Sequence, residues 1–164
     1  MYVRLNPCYI LLLCVEYVRT VKLTSIEGFM FVEPTHDASS LGLLCNQKRK
    51  ELGLDQATVS MYANVSVKFI SQFECGKTSV QLDKVLALTS TLGIRLYPIS
   101  KDIDLGKLVK ESRSVLGFTQ ASLAGFSGLS TKFISNLEAN KPTLMLDKVL
   151  VALHTLGVKM EFKA

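Results

Sequence analysis

A chain of 164 residues with 48% hydrophobic content can bury one sizeable core or two small ones, which excludes an intrinsically disordered protein. Its 19 Lys and Arg against 14 Asp and Glu leave a formal charge of +5 and favour an anionic partner over a cationic one. The four cysteines, Cys8, Cys14, Cys45 and Cys75, have neither C-x-x-C spacing nor nearby histidines, so no metal site or disulfide framework is expected, and reduced thiols in a cytoplasmic protein are.

The first apolar run, "CYILLLCV" at 8–15, follows Arg4 as a targeting segment would. It stops at Glu16 without a small-residue cleavage site, and it is far shorter than the roughly 20 residues that cross a bilayer as a helix. In "VEYVRTVKL", Val15, Tyr17, Val21 and Leu23 fall on one side of a period-2 pattern, which predicts an N-terminal strand or hairpin; a native start at Met30 is the alternative.

From about Met30 the chain repeats itself. A shift of 64 residues aligns 41–98 with 105–162 without a gap, and 23 of those 58 positions are identical. "VSVKFISQFECGK" at 65–77 returns as "LSTKFISNLEANK" at 129–141. Two units are too few to close the core of a solenoid, so the expected organisation is an extension, 1–29, followed by a tandem pair, 30–98 and 99–164.

Each unit reads as four helices and a strand. "LGLLCNQKRKELG" puts Leu41, Leu44, Cys45 and Leu52 on one stripe and ends at Gly53, and "LGKLVKESRSVLG" is its counterpart. Asp55 and Thr119 are N-cap residues for a short second helix. Asn64 and Gly128 stand where a left-handed turn is needed, and Ser66 and Ser130 cap a third helix at once. "LDKVLALTSTLG" and "LDKVLVALHTLG" give a fourth helix, and "IRLYPI" and "VKMEFKA" a closing strand.

Two short helices joined by a tight turn are the helix-turn-helix arrangement, whose second helix enters the major groove of DNA. On the third helix Phe69, Ile70 and Phe73 form an anchoring face, as do Phe133, Ile134 and Leu137. Val67, Lys68, Ser71 and Gln72 occupy the opposite face, matched by Thr131, Lys132, Ser135 and Asn136. The retained apolar positions keep a scaffold while the changed exposed positions alter what it reads.

"DQATVSMYANVSVKFISQFECGK" and "TQASLAGFSGLSTKFISNLEANK" resemble the lambda-repressor-like, XRE-type helix-turn-helix family, and the longer frame resembles the HipB-type antitoxins. The small or apolar positions of that pattern are met by Val59, Ser60, Ala63, Val65, Ile70 and Phe73, while Ser127 in the second unit is more polar than usual. The resemblance implies that Gln56 and Gln120 hold backbone phosphate. It also implies that Ser66, Val67, Lys68, Ser71 and Gln72, with Ser130, Thr131, Lys132, Ser135 and Asn136, face bases and phosphates. Lys77 and Lys141 either touch phosphate or only solubilise the surface. Arg49 with Glu74, and Arg113 with Glu138, resemble the family's ion pair between the first and third helices and are read as architecture.

The resulting expectation is a mostly α protein of two tandem lambda-repressor-like helix-turn-helix modules, each ending in a short β-strand. It would bind double-stranded DNA as a covalent pseudo-dimer on an imperfect palindromic operator and repress transcription, without cofactor, metal, membrane or catalytic chemistry. A HipA-type toxin kinase is the partner that the antitoxin resemblance implies. The competing expectation is a protein-interaction module in which one or both repeats no longer bind DNA. Residues 95–97 and 159–162 are predicted to pair as a two-stranded ribbon between the repeats.

Overall fold

The computed structural model describes residues 37–97, 104–158 and 161–163. The predicted N-terminal strand and His36 lie outside the described residues. Eight helices are present among those described: α1 (Ala38–Glu51), α2 (Gln56–Ala63), α3 (Val67–Glu74), α4 (Leu82–Thr91), α5 (Leu105–Val115), α6 (Gln120–Ser127), α7 (Thr131–Glu138) and α8 (Leu146–Thr155). Strand β1 (Arg95–Tyr97) follows α4, and β2 (Glu161–Lys163) follows α8. No helix among the described residues is long and apolar enough to cross a membrane.

Side-chain caps explain where most of the helices begin. Asp37, Asp55 and Asp104 accept hydrogen bonds from Ser40, Thr58 and Lys107 backbone N–H at 2.8, 2.7 and 2.9 Å, each satisfying a donor with no partner inside its helix. Thr119 and Ser122 form a reciprocal capping box at the start of α6. The turn residues are left-handed, Asn64 at φ 51° and Gly128 at φ 65°, and this reverses the chain tightly enough for Ser66 and Ser130 to cap the next helix. Ser127 donates to the Leu123 carbonyl at 2.6 Å, so the polar residue in an apolar pattern is satisfied within its own helix.

Leu41 and Cys45 are fully buried on α1, but Leu52 is half exposed. Leu52 is the C-cap of α1, and the next buried residue after Cys45 on that face, four residues on, is Arg49. The apolar stripe therefore runs into a charge. Arg49 Nε and Nη2 donate to the two carboxylate oxygens of Glu74 on α3, each at 2.7 Å, and Nη1 donates to the Leu54 carbonyl at 2.9 Å. Gln56, the first residue of α2, donates to Glu74 Oε2 at 2.8 Å. The same set recurs as Arg113, Glu138, the Phe118 carbonyl and Gln120. One guanidinium thus ties α1, the α1–α2 turn and α3 together, and the shared carboxylate adds α2.

Around this network α1 packs on α3 and α2 on α4, with corresponding contacts in the second half. Phe73, Ile70, Val59, Val85 and Leu88 are fully buried, as are Ile134, Leu137, Leu123, Val149 and Leu153. At about 1.5–3 kcal/mol for each large side chain removed from water, these residues dominate the stability. They belong to one contiguous buried cluster that runs from Ala38 to Leu156 across both halves.

Backbone hydrogen bonds also join the halves. Leu82 N–H donates to the Leu144 carbonyl and Leu146 N–H to the Val80 carbonyl, both at 2.8 Å, flanking a bridge between Gln81 and Met145. β1 and β2 are antiparallel, with Arg95 opposite Lys163, Leu96 opposite Phe162 and Tyr97 opposite Glu161. Of the residues 159–162 predicted for the second strand, Lys159 and Met160 lie outside the described residues.

Close approach of helices makes one residue type obligatory. A Cβ on Gly42 would lie far inside contact distance of the Phe73 carbonyl, and one on Gly106 inside that of Glu138. Gly42→Ala and Gly106→Ala are each expected to destabilise the protein by about 2 kcal/mol or more, read as a lower denaturation midpoint in urea, because the obstacle is backbone.

Burial raises the Glu74 and Glu138 carboxyls, but their hydrogen bonds and charge contacts with the arginine and glutamine outweigh it and hold both below the usual value of 4.5. Their contribution to stability is complete above 4.5 and is lost as pH falls through the lowered folded values. Glu74→Gln is expected to cost about 3 kcal/mol at pH 7, because it leaves a buried guanidinium without its counter-charge. The double change Glu74→Gln with Glu138→Gln should flatten the acid limb of stability against pH, measured by denaturation from about pH 7 to pH 3.

Candidate nucleic-acid interface

Helices α3 and α7 each have one side held by the core. Ile70 and Phe73 are fully buried, and Phe69 stacks on Phe73 with ring centroids 5.9 Å apart. The ammonium of Lys84 on α4 stands 6.0 Å from the Phe69 ring, and Lys148 on α8 stands 6.0 Å from Phe133, close enough for a cation–π attraction. An aromatic side anchored from below and from the side leaves the helix little freedom to roll.

The opposite side of α3 carries exposed Ser66, Val67, Lys68 and Gln72, with Ser71 half-buried, and exposed Lys77 follows in the C-terminal turn. On α7 and its flanks Ser130, Thr131, Lys132, Ser135 and Lys141 are exposed and Asn136 is half-buried. Each set lies on one helix and its two ends. Ser66 and Ser130 accept from Phe69 and Phe133 backbone N–H at 3.2 Å, so each hydroxyl caps its helix through oxygen and keeps its proton to donate outward.

Gln56 and Gln120 have a structural duty that their phosphate-binding reading did not include. Each is half-buried and gives one amide N–H to the buried carboxylate at 2.8 Å, which leaves the second N–H of each amide uncommitted to that bond. Lys77 Nζ donates to Gln72 Oε1 at 3.0 Å.

Sequence reasoning missed Asn140, which follows α7. Its Oδ1 accepts the Gly106 backbone N–H at 2.8 Å and its Nδ2 donates to Asp104 Oδ1 at 2.5 Å, so the end of α7 is fastened to the start of α5. The counterpart of Gly106, Gly42, lies inside α1, which begins a turn earlier relative to the repeat and needs no such acceptor. The available signal was the exchange of Gly76 for Asn140 at a left-handed position, φ 51°, since Asn adopts that conformation and adds a side-chain amide.

The capping carboxylates set the local charge. Hydrogen bonds from the Ser40 hydroxyl and N–H lower Asp37, and those from the Thr58 and Lys107 N–H groups lower Asp55 and Asp104, which keeps each acid ionised at its helix N-terminus. Burial, reinforced by the Glu74 charge, pushes the Cys45 thiol up to about 12, so it packs as a neutral apolar group. Cys75 is exposed and unbridged.

A Helix-turn-helix family model matches residues 46–99, which include α2, the turn and α3. Over 66 residues, 40% of this chain and 87% of the relative, the sequence is 41% identical to a Sinorhizobium fredii protein described as an uncharacterized HTH-type transcriptional regulator. No solved structure matches the chain. With the anchored helix pairs and that likeness together, the chain belongs to the XRE-type helix-turn-helix family of transcriptional regulators.

Proposed function

We propose that this chain binds operator DNA as a covalent pseudo-dimer of two helix-turn-helix modules, α2–α3 and α6–α7, and represses transcription by occupying a promoter. The observation that carries the reading is the pairing between the halves. Gln81 faces Met145 and Tyr97 faces Glu161, and both pairs are residues 64 positions apart, that is, equivalent positions of the repeat. A residue meets its own counterpart on a twofold axis, as in the isologous interface of a symmetric dimer. Such an axis relates α3 to α7 and suits them to two half-sites about 34 Å apart along one face of the duplex.

In this reading Lys68, Lys132 and Lys141 neutralise phosphates, Lys77 adds its charge at the end of α3, and Gln56 and Gln120 steady the module on the backbone with their second amide protons. Ser66, Ser71, Ser130 and Ser135 donate to phosphate or base edges. Val67 and the Thr131 methyl contact thymine methyls, and Gln72 and Asn136 bond base edges. Because Val67 differs from Thr131 and Gln72 from Asn136, the operator is an imperfect palindrome. The finer form of the reading is an antitoxin that represses its own operon and binds a HipA-type toxin kinase; its support is the strand that follows the fourth helix and pairs with its counterpart.

A second reading, a module that holds a protein partner, is favoured by the apolar side chains left in water. Met61 and Tyr62 at the end of α2 are 82% and 76% exposed, and Val115 and Phe126 in the second half are each 68% exposed.

Binding to a promoter fragment across a salt series separates these readings. Lys68→Ala and Lys132→Ala should each weaken binding and lower the slope of log affinity against log salt by about one, with the double variant about two lower. Footprinting should protect two unequal half-sites one helical turn apart. If no promoter fragment is bound and a partner protein is, the interaction reading replaces the repressor.

A further inference from the structure

We infer that Lys77 and Gln72 act as one all-donor reading unit, so that α3 selects guanine where α7, through Asn136, selects adenine. The inference rests on the operator-binding reading above and assigns the base class to each half-site. A free glutamine presents one acceptor and one donor side by side, which matches the N7/N6 edge of adenine. Gln72 is not free in this sense. A lysine ammonium has only protons to give, so the atom facing Lys77 Nζ at 3.0 Å is the amide oxygen. What Gln72 presents outward is its NH2 group, with a positive charge beside its oxygen. Adenine N6 and cytosine N4 are donors and meet that charge unfavourably, whereas guanine offers two acceptors, N7 and O6.

The backbone builds this pairing. After α3 the chain turns through Gly76 at φ 90°, with Gly76 N–H bonded to the Phe73 carbonyl at 2.9 Å and Lys77 N–H to the Gln72 carbonyl at 3.1 Å. That turn returns Lys77 to residue 72. The same turn follows α7, where Lys141 N–H bonds the Asn136 carbonyl at 3.1 Å. Asn136 is one methylene shorter and half-buried, and among the described residues no side-chain bond joins it to Lys141. Its amide keeps both donor and acceptor and fits adenine.

The test is selection of duplexes from a random pool by the full chain, comparing the parent with Gln72→Ala, Lys77→Met, Lys77→Arg and Lys141→Met. Gln72→Ala identifies the base pair that Gln72 reads as the position where selectivity disappears. There the parent should favour guanine over adenine by about fivefold or more, the range of a good side-chain–base pair. Lys77→Met should move that preference towards adenine, Lys77→Arg should retain guanine, and Lys141→Met should weaken binding without changing any base. A parent that selects adenine at that position, a preference untouched by Lys77→Met, or no position sensitive to Gln72→Ala overturns the inference while operator binding stands. A parent that selects no sequence overturns the operator-binding reading itself, and this inference with it.

Discussion

The structure is organised by a buried arginine. Arg49 lies on α1 where an apolar residue would continue the stripe, and its three donor groups are all used, two on Glu74 and one on the Leu54 carbonyl. A guanidinium taken out of water must find such partners or lose several kcal/mol. The partners sit on different elements, so satisfying the charge fixes how those elements meet. An apolar pair of similar volume would hold α1 and α3 together without specifying a register. The fork of Arg49 on the two oxygens of Glu74 accepts only one.

That register controls the exposed face. Glu74 is the last residue of α3, and anchoring it by Arg49 and Gln56 while Ile70 and Phe73 fill the core leaves one rotation of the helix available. Val67, Lys68 and Gln72 then face outward as a consequence. The glycines at 42 and 106 belong to the same constraint, since a helix drawn in by an ion pair reaches a distance at which a Cβ cannot fit against the carbonyls of Phe73 and Glu138. The chemistry of the outward face is therefore free to differ between α3 and α7 while the support beneath stays the same.

The two halves are not copies in every respect. α1 starts at Ala38 with Asp37 as cap, whereas α5 starts at Leu105 and leaves Gly106 N–H to be met by Asn140. The carboxylate of the second network is also slightly less enclosed than that of the first, with the Glu138 side chain 7% exposed against 1% for Glu74. Local differences of this kind give two related helix pairs different mechanical surroundings within one contiguous core.

Much of this was legible in the amino-acid order, because helix caps, turn residues and apolar spacing are local properties. Asp55, Asn64 and Ser66 mark the α2–α3 turn from side-chain chemistry alone, whereas the joining of Arg49 to Glu74 and of Arg113 to Glu138 was implied by the family resemblance and not by any local pattern. The sequence by itself also separated the anchoring side of α3 from its outward side, since residues 69, 70 and 73 share a helical face whatever they pack against. Only the tertiary structure decided that Leu52 ends α1 in water instead of extending the stripe, that Gln56 and Gln120 serve the buried carboxylates, and that Asn140 caps a helix 34 positions earlier in the chain. The pairing of Gln81 with Met145 belongs to the same class. Each depends on where a second segment lies in space, and that placement follows from packing the whole core and from satisfying charges buried within it, which no local pattern encodes.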